Sequence, residues 1–349
     1  MLNLCCIEVK KITYPIAIYN NPSYDHRPKD GDHKMEHKTA RLRFKSEALP
    51  LAIASLNRPA FSRYELAILV WNLYDTKTLN DARIIGLSRA TPNLRAFKIA
   101  EESLLSSGLI KNIGKDKSPF YTWRGAGESS KFELACCIDP FSAISHLSAM
   151  EWHGLSNRIS ERIFITTPSL PQWGNLARER MLQDLGPNFY KYVEVERLPY
   201  LSRPNIDRIG RRSLNRHETK KSVNPIKGSE LVRVTSIGKT YLDMLQDPLL
   251  CGGIQHVFEC IKDHASRHLK LIFNEFDASG TAIDKVRMGF LLEKLCAISH
   301  PHLDSWAHTF AARGGSRKLD PQMPYEPSFS SKWCISINAP LEVEDDSYD

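Results

Sequence analysis

The residue types in this chain best suited to chemistry are histidine and cysteine, and four of them fall at every fourth position: His256, Cys260, His264 and His268. On a helix, residues four apart share a face, so Cys260 with His264, or His264 with His268, has the spacing to put two ligands on one metal ion. All four cannot reach the same ion, because the row drifts by about 40° per step around a helix of 3.6 residues per turn. Solvated histidines on a helix give the same spacing, and on that reading no metal and no cofactor is expected.

A second stretch, Ile237-Gly238-Lys239-Thr240, ends as phosphate-binding loops do, with a lysine and a hydroxyl. The first glycine of such a loop would fall at Arg233, and VRVTS before it has no glycine whose backbone could cradle phosphate. The stretch reads better as a strand, VRVTS, turning into a helix, KTYLDMLQD, that stops near Pro248. His300, His302 and His308 lack the HExxH order of a zinc protease, and Glu194 and Glu196 lack the lysine and upstream aspartate of a nuclease core. No catalytic constellation emerges, and the chain is not expected to be an enzyme.

Positive charge is the other chemical resource. Arg313-Gly314-Gly315-Ser316-Arg317-Lys318 combines cations with glycines, whose backbone amides can approach an anion, although a tight turn on a basic surface explains the same residues. Arg203, Arg208, Arg211, Arg212, Arg216, Lys220, Lys221 and Lys227 pose the same choice between a binding surface and a solvated loop. Arg211, Arg212, Arg313, Arg317 and Lys318 are the candidates for an anion or partner surface.

The elements that must hold these groups begin near Ala48. Ser62 stands as an N-cap before RYELAILVWNLY, with Glu65 completing a capping box. Thr91-Pro92 signals a second helix, NLRAFKIAEESLLSS, stopped by Gly108, with Leu94, Phe97, Leu104 and Leu105 inward and Asn93, Arg95, Lys98 and Glu102 outward. LIKNIGKDKSPFYTW then reads as a β-hairpin with Gly114-Lys115-Asp116-Lys117 at its turn. Helices followed by a basic-tipped hairpin are the parts of a winged helix, in which a helix reads the major groove and the wing touches phosphates. Arg89, Asn93, Arg95, Lys98, Lys111, Lys115, Lys117 and Arg124 are the candidate DNA contacts. A structural or protein-binding role fits the same elements, since fold does not fix function.

Beyond Gly127, ELACCIDP reads as a buried strand, AISHLSAMEWHG as a helix ended at Gly154, ERIFITTP as a strand, and IQHVFECIKDHASRH as a further helix. The fold class expected is α+β: an N-terminal winged helix-turn-helix at 48–125, then a larger mixed α/β domain at 130–340. Residues 1–47 form an extension or linker, and 341–349 an acidic tail. The chain has 349 residues, a formal charge of +7 and 42% hydrophobic residues, enough for a sizeable core. No apolar run approaches a membrane span, Glu8 interrupts the first residues, and eight cysteines form no regular framework. Reduced thiols in the cytoplasm, and no membrane partner, are expected.

The stretch 48–124, AISHLSAMEWHG with IFITTP, VRVTSIGKTYLDMLQDPLLCGGIQHV, RMGFLLEKL, RGGSRKLDP and SKWCISIN together resemble the AbiEi antitoxins of AbiE-type (type IV) toxin-antitoxin systems, over about 48–338. The resemblance implies a winged helix that binds double-stranded DNA in the promoter of its own operon as an autorepressor. It also implies a C-terminal domain that counteracts a nucleotidyltransferase-like toxin, without a stable complex being required. Residues 1–47 have no counterpart in it. A nucleic-acid-processing enzyme with an unrecognised site, or a protein-interaction adaptor, are the alternatives from other classes.

Overall fold

The computed structural model describes residues 40–114, 119–311 and 317–341. Residues 1–39 of the expected extension, Lys115, Lys117, Arg313 and the acidic residues after Leu341 lie outside them. The described part mixes helices and short strands throughout and belongs to one compact unit.

Chain order in the first part is β1 (Arg41–Arg43), α1 (Leu49–Ala54), β2 (Ala60–Ser62), α2 (Arg63–Thr76), β3 (Thr78–Leu79), β4 (Ala82–Ile85), α3 (Leu94–Ser106), β5 (Ile110–Asn112) and β6 (Phe120–Trp123). Ser62 caps α2 with the reciprocal Glu65 bond that its sequence signals. The hairpin is present, with Lys111 opposite Thr122, and β2 joins it in the order β2-β6-β5. Between α2 and α3 the chain makes a second hairpin, β3-β4, turned by Asn80 and Asp81 at φ 48° and 62°, left-handed values those side chains tolerate. β1 pairs in parallel with β4, so residues 41–43 are part of the fold and not a linker. Their alternation, with Leu42 half-buried between exposed Arg41 and Arg43, is too short to stand out in sequence.

Two corrections concern helix boundaries and type. Asn93, not Thr91, caps α3, its Oδ1 accepting from the Ala96 amide at 3.0 Å. Thr91 instead donates to Glu196 at 2.7 Å. ELACCIDP is not a strand: α4 (Lys131–Ile138) is a helix with a Ser130–Glu133 capping box. Its apolar residues are buried on every side, which removes the periodicity that separates a helix from a buried strand.

α4 leads into β7 (Ala143–Ile144), α5 (His146–Trp152), β8 (Arg162–Pro168), α6 (Leu170–Leu185), β9 (Arg208–Ile209), β10 (Arg212–Thr219), β11 (Ile226–Lys227) and β12 (Arg233–Val234). The strands form one mixed sheet in the order β11-β12-β7-β8-β10-β9. Its spine is the parallel pair β8-β10, in register from Arg162 opposite Ser213 to Pro168 opposite Thr219. The basic run from Arg203 is therefore half sheet: Arg208, Arg212, Arg216 and Lys227 sit on β9, β10 and β11, not on a solvated loop.

α7 (Ile237–Gln246), α8 (Ile254–His264), α9 (Leu269–Ser279), α10 (Ala282–Leu295) and α11 (Pro301–Trp306) make a helical layer. A small sheet closes it, with β13 (Arg317–Lys318), β14 (Phe329–Ser330) and β15 (Ile335–Ser336) in the order β13-β15-β14. Its core gathers Tyr241, Phe258, Phe276, Phe290 and Trp333, all buried. The N-terminal elements share another core with Trp173, Met181, Tyr192 and Leu201, so residues 48–125 do not bury their apolar side chains alone.

Candidate nucleic-acid interface

α3 is held in place through one buried carboxylate. Arg63, at the start of α2, donates from Nε and Nη2 to the two oxygens of Glu101, each at 2.7 Å. The Tyr121 hydroxyl of β6 donates to the same Glu101. One side chain thus ties α2, α3 and the hairpin together, and Phe97 beneath the Arg63 guanidinium, 5.3 Å from its ring centre, adds a cation–π contact. Burial, and then the bond to Glu101, raise the Tyr121 phenol well above its ordinary range, so it stays a proton donor.

This leaves the outer face of α3 to solvent. Arg95, Lys98 and Glu102 are exposed and Phe97, Ala100 and Leu104 buried, as the helical period requires. Leu105 departs from its expected inward position, being 38% exposed, with Ile99 beside it at 41%. Asn93 commits its carbonyl oxygen to one capping bond, and its amide nitrogen has no partner among the described residues. Arg89 is exposed ahead of α3, Lys111 on β5, and Arg124 after β6 with its guanidinium against Gly108. Among the described residues, none of Arg89, Arg95, Lys98, Lys111 and Arg124 has an ion-pair partner.

The proposed anion surface is not assembled in the same way. Arg211 is exposed at the β9-β10 turn, but Arg212 donates to the Ser160 carbonyl, Arg317 to the Phe310 carbonyl at 2.7 Å, and Lys318 lies 5.6 Å from the Tyr325 ring centre. Arg212 and Arg317 thus serve the fold. The Gly-Lys-Thr stretch is also structural. Lys239 pairs with Asp243, and the Thr240 hydroxyl donates back to the Ser236 carbonyl at 2.9 Å.

On α8, His256 has both ring nitrogens engaged, Nε2 with Ser156 Oγ at 2.8 Å and Nδ1 with Glu259 at 3.1 Å. His268 falls past the end of α8, its Nδ1 3.2 Å from the Tyr241 hydroxyl. Cys260 Sγ stays 3.7 Å from His256 Nε2, but His268 turns to a different partner, so the ladder does not converge as a whole.

A cluster with no signal in sequence lies elsewhere. His146, His217 and Asp247 come from the start of α5, from β10 and from the end of α7, and their ligand atoms lie within 4.8 Å of one another. Distant positions on unlike elements leave no spacing to read; only the sheet brings them together. No protein-family model and no curated protein matches the chain.

Proposed function

We propose that the chain is a non-catalytic DNA-binding regulator whose α3 enters the major groove while the β5-β6 hairpin touches the backbone. The carrying observation is an exposed α3 face with unpaired Arg95 and Lys98, fixed to the hairpin by Glu101. The order α1, β2, α2, α3, β5, β6 and the sheet order β2-β6-β5 support a winged helix, with β3-β4 inserted between its helices. Following the AbiEi resemblance, the DNA is the promoter of its own operon. The larger C-terminal part then counteracts a nucleotidyltransferase-like toxin encoded beside it.

A salt-titrated gel shift on the DNA upstream of its gene, against a scrambled duplex of equal length, tests the first half. Specific retention lost in Arg95→Ala supports it, and retention indifferent to sequence sinks it. Co-expression with the adjacent gene tests the second half: rescue of growth is expected, and toxicity that persists despite soluble protein ends the antitoxin reading.

A second reading, a protein-interaction adaptor, has one observation in its favour. Ile99 and Leu105 expose apolar surface on the same face of α3 as Arg95 and Lys98, which suits a protein partner better than phosphates. No DNA affinity at low salt would favour it.

A further inference from the structure

We propose that His146, His217 and Asp247 form a binding site for one divalent transition-metal ion, with zinc as the reference ion. Two imidazoles and a carboxylate from three elements are a donor set suited to such ions, and three protein ligands leave coordination positions for water or a ligand. The donor atoms already lie within 4.8 Å of one another. Around a zinc ion they would stand about 3.3 Å apart, so side-chain rotations close the site without moving the sheet.

The second observation is an orphaned atom. His146 is 1% exposed, yet its Nε2 is buried without a hydrogen-bond partner. Asp247 Oδ2 is 3.9 Å away, too far for a hydrogen bond. The other ring nitrogen, Nδ1, lies 2.8 Å from Ser145 Oγ. With Nδ1 donating to that hydroxyl, the Nε2 lone pair is free and aimed at the cluster, which is how a neighbouring group orients a metal-binding histidine.

The surroundings fit a cation. His217, on β10, lies with its ring centre 5.0 Å from that of His146, so the two imidazoles face one another across the cluster. Asp243, one turn before Asp247, has one oxygen paired with Lys239 and the other, Oδ2, buried and unpartnered. Asp247 is 41% exposed at the side chain, which gives an ion a route in from solvent. The proposal does not depend on DNA binding.

The test uses the full chain, stripped with chelator and titrated with Zn2+ alone by calorimetry. One ion should bind tightly, and His217→Gln and Asp247→Asn, both partly exposed, should each weaken it at least about 100-fold. His264→Ala should leave it unchanged. The Co2+-loaded protein should absorb in the visible as a low-symmetry nitrogen–oxygen site. Absence of a tight site, affinity unchanged in both ligand variants, affinity lost in His264→Ala, or a solvent-like Co2+ spectrum would each overturn the proposal.

Discussion

Glu101 and Arg63 make a two-pronged ion pair, 2.7 Å on each prong, that joins α2 to the middle of α3, and Tyr121 completes it from the hairpin. The pair lets one helix face be charged and exposed while the opposite face is locked. Its consequence is that the orientation of Arg95 and Lys98 depends on a residue that would touch no nucleic acid.

Glu101→Ala strands the buried Tyr121 hydroxyl and the Arg63 guanidinium. A loss of about 2–3 kcal/mol is expected, with Glu101→Gln losing less because it keeps an acceptor. Urea unfolding followed by tryptophan fluorescence measures it. A change below about 0.5 kcal/mol would mean that the network is not coupled to folding.

On DNA, the two classes of contact should separate. Arg95→Ala is expected to cost about 1–3 kcal/mol on the specific duplex and little on the scrambled one. Lys111→Ala should weaken both duplexes alike and flatten the salt dependence by about one unit. Identical losses in the two variants, with discrimination intact, would reject these roles.

Gly238 is where α7 meets α9: a Cβ there would lie 2.4 Å from the Leu271 carbonyl oxygen and 2.7 Å from Glu275 Cβ. Gly238→Ala should therefore destabilise the protein by about 1–3 kcal/mol by forcing the helices apart. ATP at millimolar concentration should not shift the melting temperature of the native chain. A clear shift would revive the phosphate-loop reading.

Burial lowers the His153 imidazole, and its hydrogen bond to the Thr235 carbonyl at 2.7 Å opposes this only in part. The folded chain then holds that proton less tightly than the unfolded one. The stability contributed is complete above the ordinary imidazole value near 6.5 and is lost as pH falls through the lower folded value. The melting temperature should drop between pH about 7.5 and 5.5, and drop less in His153→Gln, which keeps a donor for Thr235. Equal drops would place the titrating group elsewhere.

Local signals made much of this chain legible. Ser62 and Glu65 define the start of α2, the β-branched and aromatic residues of IFITTP closed by Pro168 give β8, and the turn residues between LIKNI and PFYTW announce the hairpin. Each is written in a few adjacent residues, because caps, turns and strand propensity are local physics. α4 reads as a strand in sequence because a helix buried nearly all round loses its period, although its Ser130–Glu133 box marks a helix start.

What the sequence determined alone is the mixed α and β character, the capped start of α2, the basic character of the α3 face and the mismatch of Gly-Lys-Thr with a phosphate loop. The tertiary structure decided which charges are free and which are consumed. Arg95 and Lys98 point outward unpaired, whereas Arg212 and Arg317 are bound to backbone carbonyls. It also decided that His146, His217 and Asp247 meet, whereas in the regular His-Cys ladder His256 and Cys260 stay close and His268 turns to Tyr241. The physical reason is range: caps and periodicity act across a turn or two, but a polyvalent site depends on strand order in a mixed sheet, which no run of neighbouring residues encodes.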